Sequence, residues 1–293
     1  MSTPPPPWTY RAHGADPTAG PVGCRGIRVH GHTACLAHLS DTDRATYLAS
    51  LTPGADIDHR GTPFTQDLLD QLLRALRDPT TGKPHMGTVQ LSQAQFSDDA
   101  TFDGAQFSGN ARFGRARFSG NARFGEAQFS GDTLFVGVRF VVASGWGPFV
   151  CAGVVDLSGA VFEVPVTLEI AARAVRCDRT RWESTATVRL RYAVADLGHA
   201  VLSAPVAINA HPAPFTSGPA NTVDESVLSG CHDGVRVASI QGADAAHLVL
   251  TDTDLTDCLF SGAFHLDQLR LEGRTVFALT PTDWNRHGIR LTP

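Results

Sequence analysis

The chain lacks a dense set of cysteines. Its six cysteines are scattered over 293 residues, and no two of them form a Cys-x-x-Cys pair. This spacing excludes the disulfide-rich class of small secreted domains and the common zinc-finger patterns. We therefore expect reduced thiols and a cytoplasmic location.

Long apolar runs and a secretion signal are also missing. The longest uncharged apolar stretch, from Phe140 to Val155, contains three glycines and a proline. It is too short and too interrupted for a membrane span. The N-terminus has no basic segment followed by apolar residues, and it begins instead with the prolines Pro4 to Pro7. This composition predicts a disordered tail rather than a signal peptide.

Familiar catalytic motifs are absent from the sequence. We find no nucleophile elbow, no phosphate-binding glycine loop and no His-Glu-x-x-His pair. We therefore predict a protein without enzymatic activity, catalytic residues or cofactors. An enzyme built from distant acids along a cleft, such as a carbohydrate-active β-helix enzyme, stays open as an alternative.

One group of residues raises the question of a metal site near the N-terminus. His30, His32, Cys35 and His38 lie close together in the sequence. Their spacing matches no zinc-finger or zinc-knuckle pattern. An ordinary cap helix with surface histidines is the favoured interpretation, and we predict no metal ligand here.

A second group resembles the start of a calcium loop. Asp252, Asp254 and Asp257 have part of the required spacing. However, Asp257 stands where the loop needs glycine, and Ala263 stands where it needs glutamate. Outward positions on a solenoid explain these acids better.

What the chain has instead is a regular apolar periodicity. From residue 96 to residue 168 an apolar side chain recurs at alternating steps of six and five residues. These positions are Phe96, Phe102, Phe107, Phe113, Phe118, Phe124, Phe129, Phe135, Phe140, Trp146, Cys151, Leu157, Phe162 and Leu168. Segment 108–114 (SGNARFG) recurs letter for letter at 119–125, which defines a repeat unit of two short pieces.

This periodicity predicts a β-solenoid. A unit this short cannot bury its own apolar face, so it must stack on its neighbours. Steps of five and six would scatter the apolar residues around a helix, which excludes helical repeats. If each piece forms one side of a square, every phenylalanine points inward, and glycine and asparagine occupy the corners. Four pieces then close one coil of about 22 residues, and successive coils pair as parallel strands roughly 4.8 Å apart.

The Ala-x-Phe-x-Gly spacing over 94–168 resembles the pentapeptide repeat proteins, in particular the variant that alternates five- and six-residue pieces. The resemblance implies an all-β solenoid, namely a right-handed quadrilateral parallel β-helix. The spacing returns at 238–267, with inward centres at Ile240, Ala245, Leu250, Leu255 and Phe260. His265 falls where a sixth centre belongs, so we expect this second array to fray there. The predicted core comprises the nine phenylalanines from Phe96 to Phe140 together with Leu250, Leu255 and Phe260.

A small helical cap is predicted before the first array. Residues 33–51 predict a helix that breaks near Ser40, and Thr62 with Pro63 predicts a second helix start. This second helix carries a stripe of leucines and should bury it against the end of the β-helix.

The predicted organisation has six segments. They are a disordered proline-rich tail (1–23), the helical N-terminal cap (24–85), the regular repeat array (86–170), an irregular β-helix continuation (171–237) with a loop at 209–222, a second array (238–273), and a C-terminal tail or cap (274–293).

Charge is unevenly distributed along the predicted rod. Residues 221–267 contain eight acids and a single arginine or lysine, Arg236. Six arginines cluster just upstream, at 173–191. The rod should therefore be electrically polar along its axis.

These observations favour a non-enzymatic scaffold that presents a rigid surface to an unknown protein partner. The candidate contact residues are Arg112, Arg117, Arg123, Asp244, Asp252, Asp254 and Asp257. The resemblance also implies an alternative, because some pentapeptide repeat proteins imitate DNA and protect type II topoisomerases from quinolones. That alternative would make DNA gyrase a partner and resistance to quinolones or toxins the function. Neither interpretation requires direct contact with nucleic acid or a membrane.

Overall fold

The computed structural model describes residues 5–15, 23–142, 145–218, 221–278, 284–286 and 289–291. The periodic segments form a four-sided parallel β-helix of about nine turns. Val89 pairs in parallel with Ala111, which lies 22 residues later, and Thr133 and Val155 follow at the same spacing. The predicted fold class is therefore confirmed. Residues 1–4, 16–22 and most of 279–293, which include parts of both predicted tails, lie outside the described residues.

Each side of the β-helix is a ladder of parallel strands. Side one contains Ile57–Asp58, Val89–Gln90, Ala111–Arg112, Thr133–Leu134, the end of Gly145–Asp156, the end of Val166–Arg176, Val194–Asp196, Val235–Ser239 and Thr253–Asp254. Side two contains Pro63–Phe64, Gln95–Phe96, Arg117–Phe118, Arg139–Phe140, Val161–Phe162, Arg181–Trp182 and Val201–Leu202. Side three contains Ala100–Thr101, Ala122–Arg123, the starts of Gly145–Asp156 and Val166–Arg176, Ala186–Arg191, Val206–Ala210, Leu248–Thr251 and Arg270–Glu272. Side four contains His85–Met86, Gln106–Phe107, Gln128–Phe129 and the middle of the two long strands. A separate antiparallel pair joins Trp284–Arg286 to Ile289–Leu291.

The coil shortens after residue 155. Val188 pairs with Leu168 and with Ile208, which lie 20 residues to either side. Trp182 likewise pairs with Phe162 and Leu202. Strands thus continue through 171–210 with a 20-residue turn, where the sequence suggested only an irregular continuation.

The corners explain why the pieces alternate in length. In the five-residue pieces one corner residue has a positive φ, as at Gly104 (68°), Arg115 (56°) and Glu126 (57°). The six-residue pieces of the first array contain no described residue with positive φ. A left-handed residue turns the chain in a shorter length, so a piece without one needs an extra residue.

Stacked aromatic rings fill the interior. Behind side two, six rings form one column, in which neighbouring centroids are 4.4 to 5.5 Å apart and the planes are nearly parallel. The column consists of Phe64, Phe96, Phe118, Phe140, Phe162 and Trp182. All nine predicted core phenylalanines are buried, as are Leu250 and Leu255, whereas Phe260 is half-buried.

Two α-helices lie at the N-terminal end. Asp41–Ser50 begins after Ser40, whose side chain accepts a hydrogen bond from the Asp43 backbone, and a short 3-10 turn, Leu36–His38, precedes it. The second helix is Gln66–Ala75, capped by Thr65. It begins later than Thr62 and Pro63 suggested, because Pro63–Phe64 is instead a strand of side two. Its leucines join the core of the first coil.

Candidate functional site

Outward side chains stack into rows along side two. The residue before each buried centre points outward, and parallel pairing places Gln95, Arg117, Arg139, Val161 and Arg181 above one another. We call this row the side-two ladder. Arg139 pairs with Glu163, and Arg181 pairs with Glu183 at 2.9 Å. Arg117 is exposed and has no ion-pair partner among the described residues.

The three arginines proposed as contact residues lie on three different sides. Arg112 stands on side one between Gln90 and Leu134. Arg117 belongs to the side-two ladder, and Arg123 stands on side three, where it pairs with Asp103 at 2.9 Å. Residues that are one coil apart in the sequence lie on the same side of the β-helix. Residues that are only one piece apart lie on neighbouring sides. The three arginines therefore cannot form a single contact patch.

Two of the four proposed acidic contacts are held in turns. The Asp244 carboxylate accepts a hydrogen bond from the Ala246 backbone and lies 2.8 Å from His265 Nδ1. These contacts hold the pKa of Asp244 below its ordinary value, with the backbone hydrogen bond as the larger cause. Asp252 has a positive φ of 57° and accepts a hydrogen bond from the Arg274 backbone at 2.7 Å.

The other two acids face Arg236. Asp254 accepts hydrogen bonds from the side chain and the backbone of Thr256, which lower its pKa. It lies 3.5 Å from the Arg236 guanidinium, and Asp257 lies 3.8 Å from it. Much of the negative charge in this segment thus has a local structural role.

The described residues of an insertion, 211–218 and 221–234, fold back over side four of the β-helix. This insertion explains why Val237, which pairs with Ala195 on side one, lies so far from Ala195 in the sequence. Phe215, Val223 and Leu228 pack on the outward faces of Val150 and Ala171 and form a second hydrophobic cluster with them. The segment therefore lies against the rod, where the sequence predicted only a loop at 209–222.

A buried ion pair anchors this insertion. Arg191 Nε lies 2.7 Å from Glu225 Oε2, and Arg191 also donates to the His211 carbonyl. The other Glu225 oxygen accepts a hydrogen bond from the Phe215 backbone. The basic cluster and the acidic segment of the sequence meet at this point.

A groove separates the insertion from the first array. It has a volume of about 640 Å³ and is lined by Lys83, Asp103, Arg123, Glu126, Pro148 and Ser217. Glu126 accepts a hydrogen bond from Ser217 at 2.6 Å and lies 3.7 Å from Lys83. Most charged side chains of the groove thus pair with each other, which leaves little net charge to bind a small ligand.

Two cysteines and a histidine converge at the N-terminal end. Cys24 Sγ lies 3.6 Å from Cys35 Sγ, which lies 3.2 Å from His38 Nδ1. All three ligand atoms are within 4.8 Å of one another, and His30 and His32 do not belong to this group. The sequence grouped Cys35 and His38 with His30 and His32 and predicted no metal ligand. It missed Cys24, because a chain reversal rather than sequence spacing brings this residue in.

The environments of the cysteines differ chemically. The hydrogen bond with Cys35 lowers the pKa of Cys24 to about 6, and the same contact with burial raises the pKa of Cys35. Burial raises the pKa of Cys151 to about 11 and that of Cys177 to about 12. The last two cysteines are inert core residues, whereas Cys24 is poised to ionise near neutral pH.

A comparison with protein families agrees with the repeat assignment in the first array. The pentapeptide-repeat family, with nine copies of the repeat, matches residues 87–140. A similar solved structure is that of HetL, a pentapeptide repeat protein involved in heterocyst differentiation regulation from the cyanobacterium Nostoc sp. strain PCC 7120. It is 18% identical, the alignment covers 67% of this chain and 92% of HetL, and the TM-score is 0.21.

None of the curated proteins is similar enough to this chain to count as a match. In the described part of the chain, no helix has the length and hydrophobicity of a membrane span.

Proposed function

This chain carries a pentapeptide-repeat β-helix, and we propose that it acts as a non-enzymatic scaffold whose side-two ladder binds another protein. The proposal rests on the regularity of that ladder. Its five outward positions span roughly 19 Å at the strand spacing of a parallel sheet. The backbone beneath them is hydrogen-bonded from coil to coil and backed by the aromatic column. Binding to such a pre-ordered surface would cost little conformational entropy.

The chemistry of the ladder indicates the kind of partner. Arg117, Arg139 and Arg181 are exposed, and the Arg117 guanidinium is available for a new ion pair. Guanidinium groups favour planar, bidentate contacts with carboxylates. An acidic protein surface therefore suits this side. The six cysteines are free thiols, which fits the reducing cytoplasm as the place of action.

A side-specific charge reversal tests the scaffold function. The chain is used to capture partners from a lysate as wild type, as the double variant Arg117→Glu with Arg139→Glu, and as Arg123→Glu on side three. A partner retained by Arg123→Glu and lost by the double variant supports the proposal, and its affinity is then measured with purified proteins. Equal retention by all three chains contradicts the assignment to side two. A lack of any specific partner contradicts the scaffold function.

The DNA-mimic alternative makes a different demand. It requires the acids of 221–267 to form one continuous negative face. Glu225, Asp244 and Asp254 each lie against a basic side chain, so the described contacts favour the scaffold. The alternative remains a prediction, which a gyrase supercoiling assay in the presence of a quinolone can test.

A further inference from the structure

The cluster of Cys24, Cys35 and His38 has the dimensions of a metal site. Tetrahedral zinc, with Zn–S bonds of about 2.3 Å and Zn–N bonds of about 2.0–2.1 Å, places two sulfurs roughly 3.8 Å apart and a sulfur and a nitrogen roughly 3.5 Å apart. The observed distances are 3.6 Å between the sulfurs and 3.2 Å from Cys35 Sγ to His38 Nδ1. Two thiolates and an imidazole can therefore take up one ion with small side-chain adjustments.

The backbone holds these groups in place without the ion. The 3-10 turn that follows Cys35 brings His38 back to the same side, with the His38 N–H donating to the Cys35 carbonyl at 2.9 Å. Gly26 lies directly against Cys35, and a Cβ at this glycine would come within 2.6 Å of the Cys35 Cβ. The absence of a side chain at Gly26 lets the segment carrying Cys24 approach Cys35.

The Gly26 backbone also prepares Cys24 as a ligand. Its N–H donates to Cys24 Sγ at 3.3 Å. Hydrogen bonds of this kind stabilise a thiolate and orient it toward a metal. Cys35 is only 3% exposed, which shields the cluster on its inner side.

A disulfide describes the arrangement less well. A disulfide has an S–S bond of about 2.05 Å, and the two sulfurs are 3.6 Å apart. A disulfide would also leave His38 Nδ1 without its contact to Cys35. On the outer side, Cys24 and His38 are half-buried among the described residues, and the exposed His13 has its ring centroid 4.2 Å from that of His38. A fourth ligand can approach from this side.

We infer that Cys24, Cys35 and His38 bind one zinc ion that holds the chain reversal of residues 24–38 closed within the N-terminal cap. Binding forms two Zn–S bonds and one Zn–N bond and releases the thiol protons to solvent. Zinc is the metal that suits two thiolates and an imidazole. The site is near the point where the Ile27 N–H donates to the Arg60 carbonyl at 2.8 Å. The ion would thus stabilise the reversal within residues 24–38, and the Ile27–Arg60 hydrogen bond joins this segment to the coil that begins at Ile57.

The test uses the full chain, reduced and stripped of metal by a chelator. Titration with Zn²⁺ against a chromophoric chelator should show one tight site per chain. Co²⁺ should give the intense visible bands of tetrahedral coordination together with thiolate-to-cobalt charge transfer. Cys24→Ser, Cys35→Ser and His38→Gln should each weaken zinc binding by about 100-fold or more. The matched variants His30→Gln and His32→Gln should bind as the wild type does.

Three results would overturn the inference. One is a wild-type chain that binds no more zinc than the Cys24→Ser variant does. Another is a cobalt complex without thiolate charge transfer. The third is an equal loss of binding in the His30 or His32 variants. Far-ultraviolet circular dichroism of each variant identifies any that fail to fold. The wild-type titration and the cobalt spectrum do not depend on the variants.

Discussion

Arg191 and Glu225 form an ion pair of 2.7 Å whose side chains are only 9% and 6% exposed. The two residues are 34 positions apart in the sequence. Their contact ties the insertion to the body of the β-helix, together with the hydrophobic cluster on Val150 and Ala171. A charge at this depth depends on its partner, because water cannot replace the lost interaction.

Glu225→Gln should therefore release the insertion. We expect a loss of about 3–5 kcal/mol in the free energy of docking, because an unpaired guanidinium remains buried. Limited proteolysis should cut within 211–234 much faster than in the wild type. The control is Glu183→Gln, which breaks the exposed pair with Arg181 and should change the stability by less than about 1 kcal/mol. Equal protease resistance of the two variants would show that the hydrophobic cluster alone holds the insertion.

The aromatic column gives a second prediction. Phe118 is 1% exposed and stacks on Phe96 at 4.6 Å and on Phe140 at 5.5 Å. Phe118→Ala should lower the free energy of unfolding by about 3–5 kcal/mol, since the column cannot close over the gap. Phe264 is 62% exposed, so Phe264→Ala should stay within about 0.5 kcal/mol of the wild type. Urea denaturation measures both, and similar midpoints for the two variants would refute a structural role for the column.

The first array was predictable because stacking imposes one requirement on every coil. Each inward position must be apolar, so the equal spacing of 22 residues between Phe96, Phe118 and Phe140 gives the coil length directly from the sequence. The change to a shorter coil was harder to see. Leu168, Val188 and Ile208 keep their inward places, but Arg191 interrupts the apolar pattern by entering a buried contact.

The contacts made by chain reversals could not be predicted from spacing. Cys24 meets Cys35 only because the chain turns back beside Gly26. Glu225 meets Arg191 only because the insertion returns across side four. The three candidate contact arginines stay a prediction, but the structure separates them. Arg112, Arg117 and Arg123 look adjacent in the repeat, but a four-sided coil rotates each one to a new face.

A glycine at the junction of cap and coil provides a third prediction. Gly61 has a φ of +66°, and a Cβ there would lie 2.5 Å from the Arg25 carbonyl oxygen. Gly159 also has a φ of +66°, but no atom lies within 4 Å of its hypothetical Cβ. Both Gly→Ala variants bear the cost of a left-handed alanine, about 1 kcal/mol. Gly61→Ala should lose roughly 1–3 kcal/mol more, because the Arg25 backbone must move. Equal unfolding free energies for the two variants would mean that the cap is not packed tightly there.

The last prediction concerns pH and the buried His59. This side chain is 1% exposed, and its Nε2 is 3.1 Å from the Tyr47 hydroxyl, whereas its Nδ1 has no hydrogen-bond partner among the residues that the structure describes. Burial lowers the pKa of His59 to about 4, and nearby Asp58 offsets this effect only in part. An unfolded histidine has a pKa of about 6.5. At pH values between these two pKa values, His59 binds a proton in the unfolded chain but not in the folded chain.

The contribution of His59 to the free energy of unfolding should therefore be constant above about pH 6.5. It should decrease as the pH falls from about 6.5 toward about 4. The slope is at most about 1.4 kcal/mol per pH unit, for a total of roughly 3 kcal/mol. Urea denaturation of the wild type and of His59→Gln at several pH values between 7.5 and 4.5 measures the effect. Glutamine cannot take up a proton, so the variant should lose this part of the pH dependence even if its stability at pH 7.5 is lower. Parallel curves for the two proteins would show that His59 titrates normally in the folded state, and hence that water reaches the imidazole beneath the cap.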